Sequence, residues 1–347
     1  RREHGIVPIR RQIDTLGAEY PAETNYLYLS YDGQLDEAIL GNRKRVLVLG
    51  SGVYRIGSSV EFDWCCVNAV RAARDLGYET ILLNHNPETV STDFDVCDRL
   101  VFDEISLETV LDLVDIEQPE GVIVSVGGQV SNNLAIKLAN AGVRIIGTSA
   151  ESIDRAEDRH KFSSLCDEAG LDQPLWTEYT GAEDLGAMAE KLGFPMLVRP
   201  SYVLSGAAMR VVWDQSHLEN YLRRAALVSP DHPVVITRFE TGSKEIEIDA
   251  VADHGELVLW AIAEHIENAG VHSGDATLVI PPQKLYLETV RRIKRATRRL
   301  AKALEITGPF NIQFLAKDNR IKIIECNLRA SRSAPFVSKA SKMNFVD

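Results

Sequence analysis

Apolar residues along the chain come in short unbroken runs separated by stretches of helical period. Arg45-Val-Leu-Val-Leu runs into Gly50-Ser-Gly52, the signature of a strand buried on both faces that ends in a glycine turn. A helix is predicted from about Phe62 to Leu76, then strands over Thr80–Asn84 and Gly121–Val126, the latter closing on Gly127-Gly128-Gln129. A helix from about Asn132 to Ala141 and a strand over Val143–Ile146 follow. Strand, helix, strand repeated in this way predicts a doubly wound α/β sheet with right-handed crossovers. From Ser152 the pattern changes: helices near Glu157–Ala169 and Ala182–Leu192 alternate with strands at Met196–Arg199 and Pro233–Phe239. A long helix over Leu287–Leu304 carries a basic face above a core stripe.

Two strands near the end, Asn311–Ala316 and Ile321–Asn327, are joined by a short polar turn at Asp318-Asn319. Pairing symmetric about that turn is expected to set Gln313 opposite Glu325, with Asn327 on the same face. Ile312, Phe314, Ile324 and Cys326 then form the core face. A carboxylate with two amide side chains is an oxygen set for Mg²⁺ or Mn²⁺, completed by phosphate oxygens and water. Arg329 and Arg332 follow at once and suit an anionic reactant or a transferring phosphoryl group. The triplet alone also fits a polar cluster on a wet hairpin face. The arginines and the loops shift the balance toward phosphate chemistry.

Arg199 ends a strand just before Pro200–Met209, a run of small residues with the freedom to close over phosphates; an ordinary surface ion pair is the alternative for it. Glu245, Glu247 and Asp249 alternate with apolar residues and predict one wet strand face, Glu245 being also placed to accept from ribose hydroxyls. The stretch Glu264–Thr277, with His265 and His272, reads as a loop of functional composition. His272 serves there as a nucleotide or anion contact, or as an ordinary loop histidine. Gly50-x-Gly52-x-x-x-x-Gly57 lacks dinucleotide-fingerprint spacing and reads as a tight strand-to-helix turn. Arg55 and Glu61 beside it either line a site or pair with each other. Residues 1–42 read as a connector, with Tyr20, Tyr26 and Tyr28 covering a neighbouring domain.

Length narrows this further: 347 residues exceed one core and call for two or three domains. A formal net charge of −12 argues against broad nucleic-acid or membrane surfaces, so any phosphate site is a local basic island. No apolar run approaches a membrane span, and no signal-peptide pattern is visible. The five cysteines show no C-x-x-C spacing, which fits a reducing compartment and argues against zinc. The ends, at Arg1 and at Phe345-Val-Asp347, lead to the expectation of a piece of something longer.

Several stretches resemble the large chain of carbamoyl phosphate synthetase, specifically its second synthetase half. They are Arg199-Pro-Ser-Tyr-Val-Leu-Ser-Gly-Ala-Ala-Met, Glu267-Asn-Ala-Gly-Val-His-Ser-Gly-Asp-Ala-Thr, Gly308-Pro-Phe-Asn-Ile-Gln and Glu325-Cys-Asn-Leu-Arg-Ala-Ser-Arg-Ser. The resemblance covers essentially the whole chain. It implies the end of a connecting, oligomerising domain at 1–42 and a pre-ATP-grasp domain at 43–150 that includes Val60-Glu-Phe-Asp-Trp-Cys-Cys. An ATP-grasp domain, incomplete at its C-terminus, then occupies 151–347.

The resemblance also implies roles. Gln313, Glu325 and Asn327 hold the divalent ions on ATP; Arg159 and Arg199 contact phosphates; Arg238 and Glu240 flank the adenine; Glu245 takes the ribose. Gly270, Val271, His272 and Ser273 line the nucleotide pocket, while Arg329 and Arg332 grip carbamate and the forming carbamoyl phosphate. His265 and Glu267 contribute to a monovalent-cation (K⁺) site. Implied partners are the bicarbonate-phosphorylating half and a glutaminase chain or domain, in an oligomer that is cytoplasmic or mitochondrial and serves pyrimidine or arginine synthesis. Ala334 departs from the family's usual Phe, which puts the packing beneath the arginines in question. The rival readings are another ATP-grasp ligase, of carboxylase or D-alanine ligase type, and a non-catalytic nucleotide-binding fragment.

Overall fold

The structure is a computed structural model that describes residues 1–17, 19–20, 24–32, 36, 42–55, 58–181, 184–200, 209–228, 234–271 and 276–347. In chain order its elements are β1 (Ile9–Gln12), β2 (Tyr26–Ser30), β3 (Arg45–Leu49), α1 (Val60–Asp75), β4 (Glu79–Asn84), β5 (Arg99–Phe102), α2 (Leu107–Glu117), β6 (Val122–Ile123), α3 (Gly128–Asn132), α4 (Ala135–Asn140) and β7 (Ile145–Ile146). There follow α5 (Ala150–Glu157), α6 (Arg159–Glu168), β8 (Trp176–Tyr179), α7 (Leu185–Leu192), β9 (Met196–Pro200), β10 (Arg210–Val212), α8 (Gln215–Val228), β11 (Val234–Arg238), β12 (Lys244–Asp253) and β13 (Glu256–Asn268). The last are β14 (Leu278–Val279), α9 (Leu287–Ala303), β15 (Gly308–Lys317), β16 (Arg320–Asn327) and α10 (Ala334–Ser341). Two compact units result: Arg1–Ile153 with Thr307–Pro309 and Leu328–Asp347, and Asp154–Ile306 with Phe310–Asn327.

The first unit holds a seven-stranded sheet in the order β1-β2-β5-β4-β3-β6-β7, parallel except for the antiparallel β1–β2 hairpin. Strand order reverses between β3 and β6, the usual place for a ligand crevice in such sheets. Close approach there demands glycine: a Cβ on Gly127 would lie 2.2 Å from the Gly50 carbonyl oxygen. The helix expected over 132–141 is α4, preceded by the separate short α3. Pairing in the 121–126 run is confined to Val122–Ile123.

Within residues 1–42, β1 and β2 extend this sheet. Arg10, 2% exposed, is fixed by Glu117 (2.6 Å) and by Asp36, and Glu117 also takes Arg99 at 2.8 Å. Arg99 continues to Glu79 at 2.9 Å, and Glu79 to Arg45 at 3.0 Å. Buried charges survive only when paired in this way. Tyr26 packs edge-on against Phe102 (5.3 Å between centroids), so it belongs to this core, whereas Tyr20 and Tyr28 are exposed. Ala334 is buried in the cluster of Val48, Cys65, Cys66, Val70 and Leu82.

The second unit contains a four-stranded antiparallel sheet, β10-β9-β11-β8, and a five-stranded antiparallel one, β14-β13-β12-β15-β16. Helices α7 and α8 pack on the first through Met188, Leu192, Leu218 and Leu222. α9 lays Ile293, Ala296 and Leu300 inward. Residues Glu264–Asn268, expected in a loop, complete the 13-residue strand β13. The β15–β16 turn places Asp318 (φ 50°) and Asn319 (φ 62°) both left-handed, the type I′ conformation that matches strand twist and that Asn and Asp tolerate.

Candidate active site

Gln313 does face Glu325, and Asn311 faces Asn327, but symmetric pairing is not how they meet. Counting from the turn, Lys317 pairs Arg320 and Phe314 pairs Ile323, so strict alternation would set Gln313 against Ile324. A β-bulge at Ile324 inserts one extra residue and turns the rest of β16 over. The apolar face is therefore Ile312, Phe314, Ile323 and Cys326, all buried, while Ile324 is only half-buried. The bulge thus delivers Glu325 and Asn327 to the face of Gln313.

The Glu325 carboxylate is 26% exposed and tightly provided for. Its Oε2 accepts from Arg159 Nη2 at 2.9 Å, and its Oε1 from Asn327 Nδ2 at 3.3 Å. Burial works against its ionisation, but Arg159, then Asn327 and Arg199, outweigh it and hold its pKa below the ordinary value. Arg159 opens α6, whose N-cap Asp158 accepts from Lys161 N. Arg199, 7% exposed on β9, donates from Nη2 to Thr237 Oγ1 at 3.2 Å, and its Nε has no partner among the described residues. Burial and the neighbouring Arg159 charge, opposed by Glu325, lower it to about 9, so it remains a cation at neutral pH. Arg159, Ser163, Gln173, Arg199, Thr237 and Ile324 line a small cleft here.

Glu245, Glu247 and Asp249 were expected on a wet face, yet all three are buried. Asp249 is met from the adjacent strand, where Asn311 Nδ2 on β15 donates to its Oδ1 at 3.1 Å. Burial, and then the charge of Glu325, push Glu245 up to about 7 against a hydrogen bond from the Gly270 amide. Glu245, Glu325, Arg159 and Arg199 thus form one interacting charge cluster.

The remaining predicted residues divide. Glu240 forms an ion pair with Lys322 on β16, while Arg238 is exposed. Gly270 (φ +114°) stands against the Phe239 ring, and Val271 is 39% exposed. His272 and Ser273, like residues 201–208 of the small-residue stretch Pro200–Met209, lie outside the described residues. His265 is buried, which lowers its pKa despite Glu267, and the Glu267 oxygens are taken by Thr277 N (2.8 Å) and Oγ1 (3.0 Å). Sequence reasoning missed Phe239, Thr237 and Lys322. Their signal was weak, since Thr237 and Lys322 sit at strand positions where a threonine or a lysine is commonplace, and Phe239 just past a strand end reads as ordinary packing.

Arg329 and Arg332 belong to the first unit. Arg329 Nε donates to Gln129 Oε1 at 3.0 Å, its guanidinium lies 5.6 Å from the Phe62 ring centroid, and the next residue's amide binds Ser125 O at 2.8 Å. Phe62 therefore supplies an aromatic support for this arginine, and Ala334 is buried core rather than a defect. Arg332 is exposed.

This fold, with its charge cluster, defines an ATP-grasp chain. Biotin carboxylase from Campylobacter jejuni, solved as a β,γ-ATP complex, superposes with TM-score 0.69 at 18% identity, over 88% of this chain and 69% of that one. The biotin carboxylase domain of Hydrogenobacter thermophilus 2-oxoglutarate carboxylase, solved with MgADP, ADP and bicarbonate, gives 0.68 at 17%, over 88% and 68%. Residues 42–155 match the carbamoyl phosphate synthase preATP-grasp domain, and residues 158–347 match the carbamoyl-phosphate synthase L chain ATP binding domain. The chain belongs to the carbamoyl-phosphate synthase large-chain family. It is 58% identical to multifunctional protein URA2 of Saccharomyces cerevisiae, over 100% of this chain and 16% of that protein. It is 55% identical to the arginine-specific carbamoyl phosphate synthase large chain of Cutaneotrichosporon cutaneum, over 100% and 30%. The chain thus spans less than a third of the length of these relatives. Among the described residues no helix is long and apolar enough to cross a membrane.

Proposed function

We propose that this chain is the carbamate-phosphorylating half of a carbamoyl phosphate synthetase, converting ATP and carbamate to ADP and carbamoyl phosphate. The observation that carries this reading is the bulged hairpin, which sets an ionised Glu325 opposite the amide of Gln313, in a chain of this family. Carboxylate and amide oxygens fit a hard divalent ion, Mg²⁺ or Mn²⁺. Among the described residues no three His, Cys, Asp or Glu converge as a metal cage, in keeping with an ion that takes part of its shell from phosphates and water. When bound, the ion neutralises charge on the terminal phosphates.

The protein groups do the rest. Arg159 and Arg199 hold the phosphates, Glu245 accepts from the ribose, and Phe239, Gly270 and Val271 flank the base, with His272 and Ser273 completing the pocket and Arg238 and Glu240 beside it. Arg329 and Arg332 position carbamate for in-line attack of its oxygen on the γ-phosphorus; the γ-phosphorus–oxygen bond breaks and ADP leaves. Carbamate is already an anion, so no general base is needed, and positioning with charge stabilisation carries the rate. A bicarbonate-phosphorylating half and a glutaminase supply carbamate, K⁺ assists near His265, and the enzyme acts in the cytoplasm or mitochondrion. Residues 43–150 and 151–347 serve as the pre-ATP-grasp and ATP-grasp domains, and 1–42 as the end of the connecting domain.

The test runs the reaction backwards. Carbamoyl phosphate and MgADP given to the protein should yield ATP, detected by luciferase, and Arg329→Met should remove the yield. ATP formed equally well with acetyl phosphate or D-alanyl phosphate would reject carbamate as the acceptor.

A further inference from the structure

Helix α9 spends its outward face on positive charge. Arg291, Arg292, Arg295, Arg298, Arg299 and Lys302 are exposed along about 17 Å of helix, in a chain whose net charge is −12. Glu288 takes Arg292 and Arg295, Arg299 donates to the Gly170 carbonyl, and Lys294 sits over the Trp260 ring at 4.4 Å. The side chains of Arg291, Arg298 and Lys302 make no hydrogen bond or ion pair among the described residues. Like charges also stand one turn apart: Arg291 with Arg295, Lys294 with Arg298, Arg295 with Arg299, Arg298 with Lys302. That spacing destabilises a helix, and a face selected only for solubility alternates its signs.

The N-terminus of α9 makes a second concession. Its N-cap is Tyr286, which makes no side-chain capping bond where Ser, Thr, Asp or Asn would. Tyr286 and Leu287 are instead 72% and 64% exposed. Leu287, Arg291, Arg295, Arg298 and Lys302 fall on one helical stripe by their spacing of four, four, three and four. Tyr and Arg are the residue types enriched in protein interfaces, whereas exposed lysine marks plain surface. A long nucleic acid is disfavoured, because the remainder of the chain repels a polyanion.

We infer that the outer face of α9, anchored by Tyr286 and Leu287, docks an acidic helix of a partner protein. That helix carries carboxylates at the same three-and-four spacing, suited to bidentate guanidinium pairing, and an apolar residue at one end. This assignment is independent of the phosphoryl-transfer site.

Fluorescence anisotropy of the intact chain tests it with three labelled probes of about 18 units: a helical peptide with Glu at i, i+4, i+7 and i+11 and a terminal Phe, its shuffled isomer, and oligouridylate. The patterned peptide is expected to bind about tenfold tighter than either control, with the advantage removed by Arg291→Glu/Arg295→Glu/Arg298→Glu. Tyr286→Ser, which restores a capping hydroxyl, should raise the melting temperature yet weaken the peptide about threefold or more. Equal affinity for the shuffled peptide, tighter oligouridylate binding, or unchanged affinity in Tyr286→Ser would overturn the assignment.

Discussion

Glu245 makes the charge cluster measurable without any ligand. Its carboxyl titrates at about 7 in the fold against an ordinary value of 4.5, chiefly through burial and then through the charge of Glu325. At 1.36 kcal/mol per pKa unit, ionising Glu245 inside the fold costs about 3 kcal/mol more than in the unfolded chain. The folded pKa is the raised one, so this group's stabilising contribution is complete below pH 4.5. It declines as pH rises toward 7 and is gone above that. Glu245→Gln has no such proton to lose. Urea unfolding followed by tryptophan fluorescence, for parent and variant at several pH values, should show the variant gaining about 3 kcal/mol relative to the parent between pH 4.5 and 8. Adding Glu325→Gln should shrink that gain, because it removes the second cause of the shift. A parent-to-variant difference that stays flat with pH would refute the buried placement of Glu245 beside Glu325.

Deleting Ile324 removes only the extra residue, and Glu325, now next after Ile323, still falls opposite Gln313, so nucleotide-dependent metal binding should survive; its loss by equilibrium dialysis would mean that the bulge itself shapes the site. Arg10→Met leaves Glu117 with one fewer guanidinium in a buried network, and a loss of about 3–5 kcal/mol in denaturant unfolding is expected; a loss below 1 kcal/mol would show the network to be dispensable. All five cysteines are buried, and burial first of all pushes Cys66 and Cys326 well up and Cys97 and Cys166 to about 12. A thiol reagent at neutral pH should therefore react only as fast as the chain opens, and rapid stoichiometric labelling of the native protein would contradict that.

The doubly wound sheet was legible because its strands are buried on both faces and read as unbroken apolar runs, Val46–Leu49 and Ile81–Leu83 above all. The Gln313–Glu325 pairing was also legible, but for an incomplete reason, since hydrophobic period carries no mark of a bulge between two isoleucines. Ile323 and Ile324 are interchangeable on paper; only the register decides which one is core. The alternation Glu245, Glu247, Asp249 resembled a wet strand, because sequence cannot reveal that these carboxylates are buried, Asp249 against Asn311 and Glu245 within reach of Glu325. β13 was obscured by Glu264 and Glu267, carboxylates held by Lys244, Gln283 and Lys284 and by Thr277 respectively, and by the buried His265. The hairpin β1–β2 was equally hidden, its short strands being fixed by Arg10 reaching Glu117.

Manganese resonance gives the most direct test of the oxygen-lined hairpin. With ADP present, electron paramagnetic resonance should show Mn²⁺ bound to the parent chain, and Glu325→Gln, still folded by circular dichroism, should leave the metal free in solution. Undiminished Mn²⁺ binding by the folded Glu325→Gln protein would contradict the assignment of this carboxylate as the metal's anchor.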